Sequence, residues 1–297
     1  MDQIISDLAS TVARQGKEGL TSTATPNVRL SKVSRCVDLL PETYRPAVSL
    51  ILQGEKQLAV GDQVLNYTAG RTFTTALDLP VMAKITSANV DRPYLAISLV
   101  IDPGIVSDLT ASMPDTAYKA DRKAFAIDPA GRDLLDAWTR MLRLIDRPDE
   151  IRIMAPLLER EIVYRLLRGP QGAVLRQIAN VEPRVAQIRK ALATIGENYA
   201  GLFKVEDIAR SVGMSCSAFH RRFKAATGMA PLQYQKTLRL YEARRLILTA
   251  STSASAAAFS VGYQSVSQFT REYRRMFGVS PMQGTRKGHS IDRSANA

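Results

Sequence analysis

Two sets of short polar and cationic side chains recur about fifty residues apart in this 297-residue chain. The first is Ser217, His220, Arg221 and Lys224; the second is Val266, Ser267, Thr270, Arg271 and Arg274. Spacings of three and four gather each set on one side of a helix, away from the aromatic pairs Phe219/Phe223 and Phe269/Tyr273. A short helix with one greasy face and one cationic, small-polar face has the form that reading a DNA major groove requires.

Such helices must be held, and the sequence writes the holder twice. One copy begins Val205-Glu-Asp-Ile208-Ala209-Arg-Ser-Val212-Gly213-Met-Ser215 and ends at Gly228 and Pro231. The other begins Ala254-Ser-Ala-Ala257-Ala258-Phe-Ser-Val261-Gly262-Tyr-Gln-Ser265 and ends at Gly278 and Pro281. The offset is 49 up to the glycine and 50 from the serine onward, so the second copy has one extra residue in its turn. Val205, Ile208, Ala209 and Val212 mark the buried face of a first helix. Gly213 and Gly262 stand where the chain reverses. Ser215 and Ser265 cap the next helix, and Ser265-Val-Ser-Gln268 fits a capping box. A lead-in helix is expected over Pro183 to Tyr199, with Val185, Ile188, Leu192 and Ile195 buried. Pro231 to Leu248 reads as the connecting helix, apolar at Leu232, Leu238, Ala243, Leu246 and Ile247. It is about 25 Å long at ~1.5 Å per residue. A rod of that length can hold two recognition helices about one DNA turn apart, near the ~34 Å between successive major-groove segments.

This tandem arrangement, from Pro183 to Arg286 with its closing Phe277-Gly-Val-Ser-Pro281, resembles the DNA-binding domain of the AraC/XylS family of bacterial transcription regulators. The resemblance implies base-facing roles for Ser217, His220 and Arg221 in the first unit, and for Val266, Ser267 and Arg271 in the second. Arginine suits guanine O6 and N7, and Val266 can meet a thymine methyl. Arg222, Lys224, Thr270, Arg274 and Arg275 are then expected at phosphates. Ala254 and Ala257 depart from the pattern, standing where the first copy has Val205 and Ile208, so a looser second unit is expected.

Charge agrees with this placement. Residues 1–180 carry 22 Lys and Arg against 21 Asp and Glu, residues 181–297 carry 18 against 7, and so +11 of the net +12 lies with the repeat. That is the footprint of a polyanion-binding domain on a nearly neutral partner. No run of 18 apolar residues is present and the N-terminus lacks a signal-peptide pattern, so no membrane partner and a cytoplasmic location are expected. Cys36 and Cys216 form no disulfide framework, and Cys216 beside a cap is not read as a redox sensor.

From about Val28 to Ile101 the sequence reads as strands: 48–52, 56–60, 63–67, 71–75, 81–86 and 94–101. Gln53-Gly54-Glu55, Gly61-Asp62, Ala69-Gly70 and Asp91-Arg-Pro93 supply turns. Six short strands at hairpin spacing argue for an antiparallel barrel or sandwich. Tyr44-Arg-Pro46, Leu52-Gln-Gly-Glu-Lys56, Gly61-Asp62 and Leu77-Asp-Leu-Pro80 extend the resemblance to the cupin-like N-terminal domain of one branch of the family, whose barrel senses a ligand. Metal-dependent cupin chemistry needs clustered histidines; His220 and His289 both lie outside the barrel, so neither metal nor cofactor is expected.

Residues 1–20 read as a short amphipathic helix and 19–27 as a Thr/Ser-rich loop. After the strands, Pro103 to Met113 reads as helix and 124–127 as a returning strand. Two longer helices follow, Pro129 to Ile145 and Pro148 to Arg168, each expected to carry proline in its first turn. Their stripes are Leu134, Leu135, Trp138, Leu142 and Ile145, and Ile153, Leu157, Leu158, Ile162, Leu166 and Leu167; Trp138 is read as core. A homodimer interface is the alternative use for this pair. The expected class is α+β: a cupin-like sensor over 1–180, a double helix-turn-helix domain over 183–286, and a disordered tail over 287–297. As a regulator the chain would have double-stranded promoter DNA, RNA polymerase and a small-molecule effector as partners. A nucleoid-type binder without effector is the alternative, and no nucleophile–base constellation supports an enzyme.

Overall fold

The computed structural model describes residues 1–113, 123–179, 183–202, 204–250 and 252–281, which divide into two compact units, Met1–Ala186 and Gln187–Ala297. The expected tail and His289 lie outside the described residues.

The first unit opens with helix α1 (Asp2–Gln15) and continues through nine strands: β1 (Gly19–Ser22), β2 (Val28–Val33), β3 (Val37–Tyr44), β4 (Ala47–Gln53), β5 (Glu55–Val60), β6 (Gln63–Thr68), β7 (Arg71–Thr75), β8 (Leu79–Ser87) and β9 (Tyr94–Val100). Helix α2 (Pro103–Ser112) and strand β10 (Phe125–Pro129) follow, then helices α3 (Arg132–Arg143), α4 (Pro148–Arg168) and α5 (Gly172–Arg176). Every strand pairs antiparallel, in two sheets ordered β1-β2-β9-β4-β7-β10 and β3-β8-β5-β6. Between them lies an apolar core that includes Ile51, Leu58, Val60, Tyr67, Phe73, Leu79, Val81 and Phe125.

Central strand β4 is apolar on both faces because both are covered. Ile51 points into the barrel, whereas Val48, Leu50 and Leu52 are buried on the side where α1 packs. On β5, Lys56 shares the inward side with Leu58 and Val60. Its ammonium donates to the Tyr44 hydroxyl at 2.6 Å and lies 3.5 Å from Glu42 Oε2, with its side chain only 11% exposed. Burial pushes the Tyr44, Tyr67 and Tyr94 phenols above their ordinary range, and the Glu42 carboxylate adds to the effect.

Several expectations are corrected. Residues 19–22, read as loop, form β1, an edge strand in register with β2 from Gly19↔Lys32 to Ser22↔Arg29. Pro129 does not open a helix. It ends β10 at the edge of the sheet, where a missing N–H breaks no ladder, and α3 starts at Arg132. Ile153 and Leu157 are 67% and 58% exposed. At about 100° per residue they fall opposite the buried Leu158, Glu159, Ile162, Val163 and Leu166. Ile145 is half-buried and Leu144 takes the core position.

In the second unit a lead-in helix, α6 (Pro183–Glu197), precedes α7 (Val205–Ser211) and α8 (Cys216–Thr227). The connector α9 (Pro231–Thr249) then leads to α10 (Ala254–Ser260) and α11 (Val266–Phe277). Leu232, expected on the apolar side of α9, is 49% exposed; Ala243 and Ile247 are buried as expected, joined by Tyr234 and Leu240.

Trp138, on α3, is fully buried, and its indole N–H has no hydrogen-bond partner among the described residues. Trp138→Ala should cost about 3–5 kcal/mol of unfolding free energy. Trp138→Phe, which removes the unpaired donor and keeps most of the ring, should cost clearly less. Urea denaturation of both variants checks the order, and equal losses would contradict a packing role.

Candidate nucleic-acid interface

Each recognition helix is built from local rules before it meets the rest of the domain. Ser215 Oγ accepts from the Ala218 amide at 3.4 Å, and Ser265 Oγ accepts from the Gln268 amide at 3.3 Å. Both helices end on a left-handed glycine, Gly228 and Gly278, whose N–H returns to the carbonyl of Lys224 or Arg274. The capping box is made in one direction only: the Gln268 amide turns forward to Glu272 Oε1 at 3.1 Å.

The turns match as well. Gly213 and Met214 donate to Arg210 and Ala209 carbonyls, and Gly262 and Tyr263 donate to those of Phe259 and Ala258. Behind each helix sits an aromatic anchor. Phe219 and Phe223 lie 5.4 Å apart and Phe223 meets Tyr234 at 5.5 Å. Phe269 and Tyr273 are also 5.4 Å apart, and Tyr273 meets Phe277 at 4.4 Å. At the positions with smaller side chains, Ala257 is fully buried, as are Ala258 and Val261, and Ala254 is half-buried. Tyr263, from the longer turn, is buried and lays its ring 5.3 Å from Phe269.

With the aromatic side inward, Ser217, His220, Arg221 and Lys224 are exposed on α8, and Arg222 is half-buried toward the flank. On α11, Ser267, Arg271, Arg274 and Arg275 are exposed and Val266 and Thr270 half-buried. These six line one shallow surface groove. Three cationic side chains, Arg271, Arg274 and Arg275, stand around Val266, Ser267 and Thr270 in this groove.

Helix α11 also carries one carboxylate, Glu272, which would repel phosphate if left free. It is instead engaged by Lys236 Nζ at 3.0 Å, the Tyr263 hydroxyl at 2.8 Å and Gln268 Nε2. Sequence reasoning missed this cluster. It also missed Gln187 on α6, which donates to the Val212 carbonyl at 2.7 Å and holds the first turn. Long polar residues on an amphipathic helix carry no periodic signal of such contacts. Among the described residues no group of three or more His, Cys, Asp and Glu could hold a metal, and no helix is long and apolar enough to cross a membrane.

Residues 24–174 match the AraC-type transcriptional regulator N-terminus, and residues 208–287 match a helix-turn-helix domain. The chain belongs to the AraC-type transcriptional regulators. It is similar to the HTH-type transcriptional regulator ExsA of Pseudomonas aeruginosa, 28% identical over 148 residues, covering 48% of this chain and 51% of ExsA. It is also similar to the virulence regulon transcriptional activator VirF of Yersinia enterocolitica, 30% identical over 145 residues, 47% of this chain and 51% of VirF. The chain thus spans about half the length of the curated relatives it matches. In fold it resembles ToxT of Vibrio cholerae, with a TM-score of 0.58 at 10% identity over 89% of this chain and 98% of that one.

Burial alone would raise the Glu272 carboxyl, but hydrogen bonds from Gln268, Lys236 and Tyr263 outweigh it and hold the group below its ordinary range. A carboxylate with a lower pKa in the folded state stabilises the fold at neutral pH and loses that contribution as acid protonates it. Glu272→Gln should therefore be less stable at pH 7 but fall off less steeply below about pH 4.3. Urea midpoints between neutral and acid pH check this, and parallel curves for the two proteins would refute it.

Proposed function

We propose that this chain is a ligand-responsive transcription regulator that binds adjacent major-groove segments of promoter DNA through α8 and α11. The observation that carries the reading is the duplicated presentation of two serine-capped, glycine-terminated helices, each anchored by aromatics and exposing cationic and small polar side chains. Ser217, His220 and Arg221, with Val266, Ser267 and Arg271, face base edges. Arg222, Lys224, Thr270, Arg274 and Arg275 hold phosphates and set the register.

The effector reading draws on the barrel. A lysine ammonium enclosed with Glu42 and tyrosines is costly to desolvate and unnecessary for an apolar core. Such a cluster suits a small polar or anionic molecule that exchanges partners with Lys56. A ToxT structure of the same fold is bound to (E)-4-(8-methylnaphthalen-1-yl)but-3-enoic acid. Effector binding would alter how the sensor and DNA-binding units or two protomers engage, and so change occupancy of the promoter by RNA polymerase. The exposed Ile153, Leu157 and Tyr164 on α4 suit a homodimer contact.

Binding titrations on a selected operator separate this reading from a sequence-blind DNA binder. Arg271→Ala should cost about 1–3 kcal/mol and relax preference at one base pair. Lys224→Ala should weaken binding evenly across sequences and reduce the salt slope by about one. If Arg271→Ala also weakens all sequences evenly, its base-reading role is refuted and the nucleoid-type reading gains.

A further inference from the structure

Helix α9 joins the two helix-turn-helix units, and side chains along it, such as Lys236 with Glu272 and Arg244 over Phe277, pack on the second of them. A second connection crosses its middle. Arg239 Nε donates to the Tyr199 carbonyl at 2.7 Å, and Nη2 to those of Ala200 at 3.2 Å and Gly201 at 2.9 Å. Its remaining nitrogen, Nη1, donates to the Gly262 carbonyl at 3.1 Å. Residues 199–201 connect α6 to α7 in the first unit, whereas Gly262 forms the turn of the second. One guanidinium therefore binds backbone from both. One helical turn earlier, the buried Gln235 donates to the same Tyr199 and Gly201 carbonyls, at 2.9 and 2.8 Å.

The units also touch directly. Gly262 has φ +88°, and a Cβ placed there would lie 1.9 Å from the Ala200 carbonyl oxygen and 2.8 Å from its carbon. Only a residue without a side chain allows this approach. Arg239 further lies 6.0 Å from the Tyr263 ring, so its flat fork is enclosed by carbonyls and an aromatic face. Lysine cannot reproduce this, since it offers one charged centre in place of several directed donors.

We infer that Arg239 is a positioning residue that fixes the phase between α8 and α11, and so fixes how many base pairs separate the two DNA segments read. It contacts no DNA itself. This rests on the DNA-binding function proposed above. It assigns the spacing rule to a contact between the units as well as to the length of α9.

The test is in-vitro selection from randomised duplex DNA with full-length wild type, Arg239→Ala and Arg239→Lys, followed by titration on selected sites with one base pair inserted or deleted between the segments. Wild type should enrich two segments at one spacing and lose at least about tenfold in affinity for each altered spacing, as expected when half-site separation is geometric. The variants should enrich the same two segments at several spacings, with the insertion penalty cut to about threefold or less. A uniform loss of affinity with the spacing preference as sharp as in wild type overturns the inference, because it indicates a stability role alone. If Arg239→Ala fails to fold, Arg239→Lys, which keeps the stem and the charge, carries the comparison. Wild type enriching no paired segments overturns the DNA-binding reading, and this inference with it. A wild-type spacing rule that the variants retain overturns this inference alone.

Discussion

A helix that enters a groove must leave nearly half its circumference bare, so everything that fixes its position acts from behind or from its ends. Here the rear support is aromatic. Phe219 and Phe223, and Phe269 with Tyr273, place large rigid rings on the inward face of each recognition helix. The ends are held by a serine oxygen at the start and a left-handed glycine at the finish. Apolar burial alone resists rotation about the helix axis poorly, since it is non-directional. Directed bonds at the caps and turns must supply the angular restraint, and the outward polar face depends on them.

The same division of labour appears in the electrostatics. A cationic surface that attracts phosphate also repels itself, so an acid nearby stabilises the unliganded protein while opposing DNA. The second unit resolves the conflict by geometry. Glu272 is drawn toward Lys236 and Tyr263, at the side of α11 that packs on α9 and the turn. Arg271, Arg274 and Arg275 remain exposed beside the groove. Lys236 thus serves as the internal partner of the carboxylate, and the arginines stay on the open side of the helix.

What could be read from the sequence followed from local physics. The repeat, its extra turn residue, the caps and the aromatic spacing all rest on contacts within a few residues, and each reappears in the structure. Six strands of the barrel were legible from β-branched or alternating runs between turn residues, whereas β2 and β3 were not separately resolved. The failures have a common cause in distant contacts. Residues 19–22 become a strand only because β2 offers an unpaired edge. Ile153 and Leu157 are apolar without being core, so hydrophobic pattern alone misassigned their face. Arg239, Gln235 and Gln187 went unread; their partners are carbonyls in turns, which any residue provides and which no side-chain pattern encodes.

The inward lysine of the barrel belongs to the same class. Its spacing from Leu58 and Val60 fits the strand period, yet a charged residue within an alternating strand is ordinarily assigned to water. Only the pairing of β5 with β8, and of β8 with β3, brings Glu42 and Tyr44 within reach of Lys56. The lysine side chain is 11% exposed and its carboxylate partner 34%, so desolvation of the ammonium offsets part of the attraction. The first unit holds a polar group enclosed against its intrinsic preference, and the second holds two cationic faces open against theirs. Each arrangement has a cost in desolvation or self-repulsion that the surrounding packing must offset.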